Sequence, residues 1–266
     1  MNRLRMPSRA DSAVFEAKII DAMLREARPR IAREMKTIRR PQARVGIVTS
    51  PLGKLLVAES DRGLTAIHFL AISKADKTLD ALRQKFDLLE NAASTDRIDR
   101  LIEKYFRGNF EVLARPVDLS LVESDFQRRA LLKLRGVPPG SVITYQGLAA
   151  AIGEPDSQRA IGNTMASNPV PIFIPCHRVI RSDGTIGNYG GGIDRKLLLL
   201  RTEGFAVDSD RRLPPGAVLG HRRTHIFCRP QCSAAKRADR GRMLIFADSA
   251  HASSSGMRAC RMCHPQ

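Results

Sequence analysis

The cysteines of this chain are distributed unevenly, and their spacing restricts how its C-terminal end can fold. Four of the five form two close pairs, Cys228 with Cys232 and Cys260 with Cys263, in a segment with few large apolar residues. In a chain without a secretory signal, close cysteine pairs indicate a metal before disulfides. Four thiolates suit a tetrahedral zinc ion, which would stabilise so small a segment. The spacing predicts a zinc-binding tail over residues 220–266, and spacing alone favours a structural zinc.

The charge of the chain restricts its partners. A formal net charge of +17 creates a positive field that attracts polyanions, and nucleic acid is the leading candidate. No apolar run reaches the roughly 18 residues of a membrane span, and the first residues lack the apolar core of a secretory signal. We therefore expect a cytoplasmic protein, associated with the nucleoid through DNA, that does not bind membranes.

The N-terminal third of the chain offers no catalytic pattern. Residues 1–42 are rich in Lys and Arg, and Phe15, Ile19 and Met23 recur at helical spacing, which predicts a basic amphipathic helix. Such a helix either packs on the next domain or contacts DNA. Residues 43–119 begin with short β-like runs separated by turn residues and continue with helical segments. We interpret 43–119 as a small α/β scaffold.

Two short helices across a tight turn occupy the middle of the chain. The first spans 144–152 and the second 157–165, with Glu154-Pro155-Asp156 between them. Asp156 or Ser157 is placed to cap the second helix. This arrangement predicts a helix-turn-helix, although three-residue turns also join the helices of many enzymes.

The remaining cysteine has unusual neighbours. An apolar, strand-like run at 170–174 ends in Pro175-Cys176-His177-Arg178, and an electropositive setting of this kind lowers the pKa of a thiol toward the reactive thiolate. Glu203, on an apolar helix predicted over 197–204, is placed to orient His177 as a base. A lone cysteine is more often a buried small hydrophobe, and His177 or Glu203 taken singly has a structural reading. Together they indicate a nucleophile.

The residues around Cys176 resemble a known active site. Ile174-Pro175-Cys176-His177-Arg178-Val179, with Asn168-Pro169 before it and Gly187-Asn188-Tyr189 after it, is similar to the O6-alkylguanine-DNA alkyltransferase family. The resemblance covers about residues 45–204. It implies an α/β plus mainly α fold, in which a ribonuclease-H-like domain at 43–119 precedes a winged helix-turn-helix-like alkyltransferase domain at 120–206. A linker at 207–219 would then lead to the zinc-binding tail.

The resemblance also implies roles for individual residues. Cys176 matches the alkyl acceptor, and His177, acting through a water, and Glu203 match the groups that activate it. Tyr145 matches the tyrosine that helps to rotate the target nucleotide and polarise guanine. Arg159 matches the arginine that enters the base stack in place of the rotated nucleotide. In this family the helix-turn-helix lies in the minor groove of the DNA. Asn168 matches the asparagine that organises the turn before the active-site strand, and Tyr189 matches a wall of the guanine pocket. The residues expected to contact DNA or the nucleotide are Arg159, Asn168, Arg178 and Tyr189. Gly190 departs from the serine of some relatives.

These features predict a single-turnover methylated-DNA-[protein]-cysteine S-methyltransferase. It would act as a monomer on alkylated bases in double-stranded DNA. The reaction would move the alkyl group of O6-alkylguanine irreversibly to Cys176, and O4-methylthymine is a further candidate substrate. Extrusion of the nucleotide costs a few kcal/mol, and no organic cofactor is needed. A cysteine hydrolase is an alternative, but it would not explain the charge or the helix-turn-helix. A non-catalytic alkylation sensor or DNA-binding regulator is the other alternative.

The tail has a resemblance of its own. Phe227-Cys228-Arg229-Pro230, with the later Cys260-x-x-Cys263, is similar to the zinc module of the Ada family of alkylation-response proteins. In that family the cysteine matching Cys228 both binds zinc and accepts a methyl group from DNA phosphotriesters. Here the module follows the alkyltransferase segment, whereas in Ada it comes first.

Overall fold

A computed structural model of the chain describes residues 40–72 and 75–265, together with residues 23, 25, 26 and 28. Residues Met1–Pro41 and Gln42–Gln266 form two separate units. The predicted basic helix at 1–42 lies almost entirely outside the described residues. No helix in the described part of the chain is long and apolar enough to cross a membrane.

The larger unit begins with a four-stranded sheet in the order β3-β2-β1-β4, in which β4 runs parallel to β1. Its elements are β1 (Gln42–Ser50), β2 (Gly53–Ser60), β3 (Gly63–Phe69), α1 (Asp76–Lys85), β4 (Asp87–Glu90) and α2 (Ala92–Phe106). Gly53, at φ +93°, makes the tight turn between β1 and β2. Successive side chains of β2 alternate: Leu55 joins the main core with Ile102 of α2, and Ala58 packs in a second cluster with Leu82 of α1. The predicted α/β scaffold is confirmed.

The next segment contains the helix-turn-helix. Its elements are a 3-10 turn (Phe110–Ala114), α3 (Asp125–Arg135), β5 (Ser141–Thr144), α4 (Tyr145–Ala151), α5 (Gln158–Ala166), a 3-10 turn (Cys176–Arg178), β6 (Val179–Ile180) and α6 (Ile193–Thr202). The Thr144 side chain caps α4 by accepting from the Gly147 N–H at 2.9 Å. The predicted cap of α5 was wrong, because Ser157 makes no side-chain capping bond. Gln158 instead bonds the Pro155 carbonyl at 2.8 Å.

The C-terminal tail shares a sheet with this segment. Its elements are β7 (Val218–His221), β8 (Ile226–Cys228), α7 (Ser233–Lys236), a 3-10 turn (Arg240–Arg242), β9 (Met243–Phe246), α8 (Ser249–Ser254) and β10 (Arg258–Ala259). The six-stranded sheet has the order β10-β8-β7-β9-β5-β6. Antiparallel pairing of β9 with β5 places Ser141 opposite Phe246. The cysteine-rich tail is therefore continuous with the sheet that leads into α4.

Candidate active site

Cys176 lies at a small cavity between β3 of the four-stranded sheet and the segment that contains the helix-turn-helix. It begins the 3-10 turn Cys176–Arg178, and its side chain is only 5% exposed. The cavity has a volume of about 170 Å³. Among the residues that line it are Phe69, Met165, Asn168, Pro171, Cys176 and Tyr189. A thiol at the wall of such a cavity is shielded from bulk water but open to a small group that enters it.

The apolar run before Cys176 is a buried turn, and the predicted strand at 170–174 was wrong. The Asn168 side chain holds the turn at both ends, since Nδ2 donates to the Ile174 carbonyl at 2.8 Å and Oδ1 accepts from the Val170 N–H at 3.1 Å. Ile172 sits inside at φ +76°, a strained conformation for a β-branched residue. Asn168 therefore fixes the backbone turn that positions Cys176 at the cavity.

The surroundings of Cys176 do not lower its pKa, contrary to expectation. Burial raises the pKa of the thiol, while hydrogen bonds from Asn168 and Tyr189 and the charge of Lys196 act in the opposite direction. The thiol sulfur lies 3.9 Å from the Tyr189 hydroxyl. The protonated thiol is thus favoured, and a base must take its proton for reaction.

Glu203 is the centre of a buried polar network. Its Oε1 lies 2.9 Å from His177 Nε2 and accepts from Arg178 Nη2 at 2.6 Å, while Oε2 accepts from Arg178 Nε at 2.7 Å. Tyr105 donates a further bond to Oε1 at 2.5 Å. Although burial opposes ionisation, His177 and Arg178 hold the pKa of Glu203 at about 2. Glu203 immediately follows the C-terminal end of α6 and does not lie within the helix. Because the helix dipole disfavours an anion at that end, the hydrogen-bond donors around Glu203 also offset the dipole.

The network fixes which nitrogen of His177 is basic. Because ionised Glu203 can only accept, Nε2 of His177 carries the hydrogen and Nδ1 carries the lone pair. Nδ1 is buried and has no hydrogen-bond partner among the described residues. Burial lowers the pKa of His177, with Glu203 opposing, so the ring is neutral near pH 7. No direct hydrogen bond joins His177 to Cys176 among the described residues, which agrees with action through a water.

Arg178 was predicted to contact DNA, and its position corrects that prediction. It is 1% exposed, and besides Glu203 its guanidinium bonds the Val137 carbonyl. An arginine fully engaged inside the protein cannot reach a phosphate or base without breaking this network. Arg178 instead holds Glu203 ionised.

Of the other residues predicted to act on the nucleotide, Tyr189 lines the cavity, and Tyr145 and Arg159 lie outside its lining. Tyr145, at the first position of α4, is partly buried, and its pKa is raised by burial and by Cys176. Tyr189 packs edge-to-face against Phe69, with ring centroids 6.3 Å apart. Arg159 is exposed on α5 and makes no hydrogen bond or ion pair with any described residue. Tyr145, Tyr189 and Cys176 are therefore brought together, and Arg159 stands free on the second helix.

Two residues of the site were missed by the sequence reasoning. Lys196 is fully buried, where Nζ donates to the Val179 carbonyl at 2.7 Å and to the Ile186 carbonyl, and burial lowers its pKa to about 8 while Cys176 opposes. A lysine inside the apolar helix α6 was an available signal. Tyr105 lies on the apolar face of α2, where nothing distinguishes it from a core aromatic residue.

The four tail cysteines converge on one point. Their sulfur atoms all lie within 4.8 Å of one another, and Cys228, Cys232 and Cys260 are buried. Backbone N–H groups of Arg229 and Met262 point to the sulfurs of Cys263 and Cys260 at 3.3 and 3.4 Å. Tetrahedral zinc with Zn–S bonds of about 2.3 Å requires sulfurs about 3.8 Å apart, so four thiolates in this arrangement fit that ion.

Models of three domain families match the chain in succession. The ribonuclease-like domain of 6-O-methylguanine DNA methyltransferase matches residues 44–119, and the DNA binding domain of the same protein matches residues 125–205. The metal binding domain of Ada matches residues 205–266.

Individual relatives agree with these matches. The chain is 37% identical to a methylated-DNA-protein-cysteine methyltransferase of Methanosarcina barkeri, over 59% of this chain and 94% of that protein. It is 37% identical to the bifunctional transcriptional activator/DNA repair enzyme Ada of Escherichia coli, over 60% of this chain but only 45% of Ada. The crystal structure of the Mycobacterium tuberculosis O6-methylguanine methyltransferase is similar at a TM-score of 0.51 and 31% identity, covering 64% of this chain and 97% of that one.

Proposed function

Because the chain belongs to the methylated-DNA-protein-cysteine methyltransferase family, whose members repair DNA by alkyl transfer, we propose that Cys176 accepts the alkyl group. The observation that carries the proposal is the position of the Cys176 sulfur at a cavity of about 170 Å³, backed by the Glu203 network. Of the five cysteines, the other four form the tail cluster. Cys176 is therefore the one thiol of the chain at this cavity.

The transfer is a displacement at carbon. A sulfur–carbon bond forms at Cys176 while the bond between the alkyl carbon and O6 of guanine breaks, and the bonding electrons remain on the guanine. The thiol proton passes through a water to His177 Nδ1. Guanine takes up one proton from Tyr145 and leaves as the normal base, and the proton held by His177 returns through water to Tyr145. The thiol thus loses one proton and guanine gains one. The thioether does not revert, and each molecule reacts once.

The ionisation states of the site suit these proton movements. Neutral His177 accepts a proton, and ionised Glu203 stabilises the imidazolium that forms. Tyr145 keeps its proton at neutral pH because its pKa is raised, so its hydroxyl is a donor for the leaving guanine. The Cys176 thiol donates to the Tyr189 hydroxyl at 3.9 Å, and once the thiolate forms this hydroxyl is placed to donate back to the sulfur. Each group is thus in the protonation state its role requires.

The nucleotide reaches the cavity by leaving the duplex. Extrusion costs a few kcal/mol of stacking and pairing, less for a damaged pair. Arg159 is exposed on α5, the second helix of the helix-turn-helix, and is free to enter the vacated stack. Since one chain supplies every group of the relay, the protein acts as a monomer on alkylated bases.

The four tail cysteines would hold zinc. The ion would neutralise the crowded thiolates and cross-link β8, the start of α7 and the segment after β10, all short elements without a large core of their own. The geometry of the cluster supports the proposal that zinc is a structural ion that stabilises the fold of the tail.

A titration tests the proposed acceptor. Duplex DNA carrying a single O6-methylguanine is mixed with increasing protein, and the remaining lesion is counted. Wild-type protein should remove one lesion per molecule, and Cys176→Ser should leave every lesion intact although it still binds the duplex. Lesion removal by Cys176→Ser would refute the proposal, and binding without removal by wild type would favour the sensor alternative.

A further inference from the structure

The tail is fitted closely against the first helix of the helix-turn-helix. At Gly241, an added Cβ would lie 2.8 Å from the carbonyl carbon of Ala150 and 2.9 Å from the nitrogen of Ala151, so only glycine permits this approach. The neighbouring Arg240 donates to the Gln146 side chain, one turn earlier on α4. The 3-10 turn Arg240–Arg242 of the tail is thereby fixed along α4.

A basic groove lies at this junction, with a volume of about 350 Å³. We call it the junction groove. Its charged lining residues are Lys133 of α3, Arg222 and Arg223 of the turn between β7 and β8, and Asp239 and Arg242 of the tail. The one carboxylate, Asp239, is paired with Arg242 at 3.0 Å, which leaves the groove strongly positive.

The walls of the groove are fixed, while two of its cations are free. Arg222 donates to the Gly136 carbonyl at 3.3 Å, and its backbone N–H bonds the Arg242 carbonyl at 2.8 Å, so it ties the tail to the end of α3. Lys133 and Arg223 are exposed, and neither side chain has a hydrogen-bond or ion-pair partner among the described residues. Their charges are available to an anion from outside.

The position of the groove indicates which anion. In helix-turn-helix proteins the first helix crosses the DNA backbone while the second lies in a groove. Here α4 is the first helix, and Tyr145 at its start approaches Cys176, whereas the junction groove is lined by Ala150 and Ala151 at its other end. A phosphate backbone that crosses α4 would continue into the junction groove.

We propose that the junction groove binds the phosphodiester backbone of the duplex beside the segment held by the helix-turn-helix. The tail and the alkyltransferase segment then form one DNA-binding surface, joined by the pairing of β5 with β9. This inference rests on the proposed function, because it takes the helix-turn-helix as the DNA-binding element. Lys133 and Arg223 each neutralise a phosphate and release counterions.

The salt dependence of DNA binding tests the inference. A short fluorescein-labelled duplex without a lesion is titrated by anisotropy at several salt concentrations, with wild type and with Lys133→Gln/Arg223→Gln. The matched control is Arg100→Gln/Lys104→Gln, which removes one Arg and one Lys charge from exposed positions of α2. Loss of two phosphate contacts should reduce the slope of log K against log salt by about 2 in the groove variant. The control should keep the wild-type slope.

Equal slopes in the groove variant and the control would overturn the inference. Lys133→Arg/Arg223→Lys keeps both charges and should restore the slope, which separates charge from local damage. Zinc content and thermal unfolding, measured on the same preparations, establish that the variants are folded. Lesion removal by wild-type protein is scored separately, so failure of the groove is distinguishable from failure of Cys176 as the acceptor.

Discussion

The Tyr105 hydroxyl donates a hydrogen bond of 2.5 Å to Oε1 of Glu203, a residue 98 positions further along the chain. Tyr105 lies on α2 of the ribonuclease-like domain, and Glu203 follows α6 of the DNA-binding domain. Burial and the charge of Glu203 raise the pKa of Tyr105 well above its ordinary value, so the hydroxyl remains a donor. The scaffold domain therefore contributes directly to the network that holds His177.

Tyr105→Phe should weaken this network without emptying the core. Removing a hydrogen bond to a buried charged group costs about 1.5–3 kcal/mol, and the lower free energy of unfolding is read from urea titration. The rate of methyl transfer to Cys176 should also fall, because Glu203 holds His177 less firmly. A rate equal to that of wild type, with the stability loss present, would show that Tyr105 has only a structural role.

Glu203 should make folding sensitive to acid. The pKa of Glu203 in the folded protein is about 2, below the ordinary value of 4.5. The contribution of its ionised form to the free energy of unfolding is therefore complete above pH 4.5 and is lost as the pH falls toward 2. The contribution is on the order of 3 kcal/mol. Glu203→Gln should therefore be less stable than wild type at neutral pH, and the difference should shrink as the pH falls through that window. Urea unfolding at a series of pH values measures it, and a difference independent of pH between 5 and 3 contradicts the assignment.

Arg159 should contribute to extrusion of the nucleotide. Arg159→Ala removes the side chain available to fill the base stack, so methyl transfer from duplex DNA should slow by at least about tenfold, equivalent to 1.4 kcal/mol. Transfer from the free base O6-methylguanine needs no extrusion and should be unchanged. Comparable slowing with both substrates would show that Arg159 affects the chemistry and not the extrusion.

Zinc should be lost when one tail ligand is removed. Cys260→Ser leaves three thiolates, and metal analysis after dialysis should show a content well below one ion per chain. Ser233→Ala, beside the ligand Cys232, is the matched control and should retain the metal. Full zinc content in Cys260→Ser would contradict the four-cysteine site.

The sequence grouped Cys176, His177 and Glu203 into one candidate site because these residues are adjacent or carry distinctive chemistry. Cys176 and His177 are neighbours, and Glu203 directly follows an apolar helix, where a carboxylate is conspicuous. Arg178 was assigned to DNA because a local pattern does not show whether an arginine points outward. The short apolar run at 170–174 has no periodicity that separates strand from turn, and the Asn168 clamp decides it.

Contacts between distant segments could not be predicted. Tyr105 reaches Glu203 across the boundary between two domains, and no spacing rule connects them. The pairing of β5 with β9 joins strands of four residues about a hundred positions apart, whose hydrophobic pattern does not specify a partner. The tail consequently looked like a separate module in the sequence, although its strands and β5 belong to one six-stranded sheet.

Peptide-level mass spectrometry identifies the residue that receives the methyl group. Zinc-loaded protein is mixed with duplex DNA carrying a single O6-methylguanine, and every cysteine peptide is examined together with the intact mass. We expect at most one added methyl group per molecule, located on Cys176, with the lesion converted to guanine. An unmodified Cys176 beside an intact lesion, or a methyl group on another residue after lesion loss, would contradict this expectation.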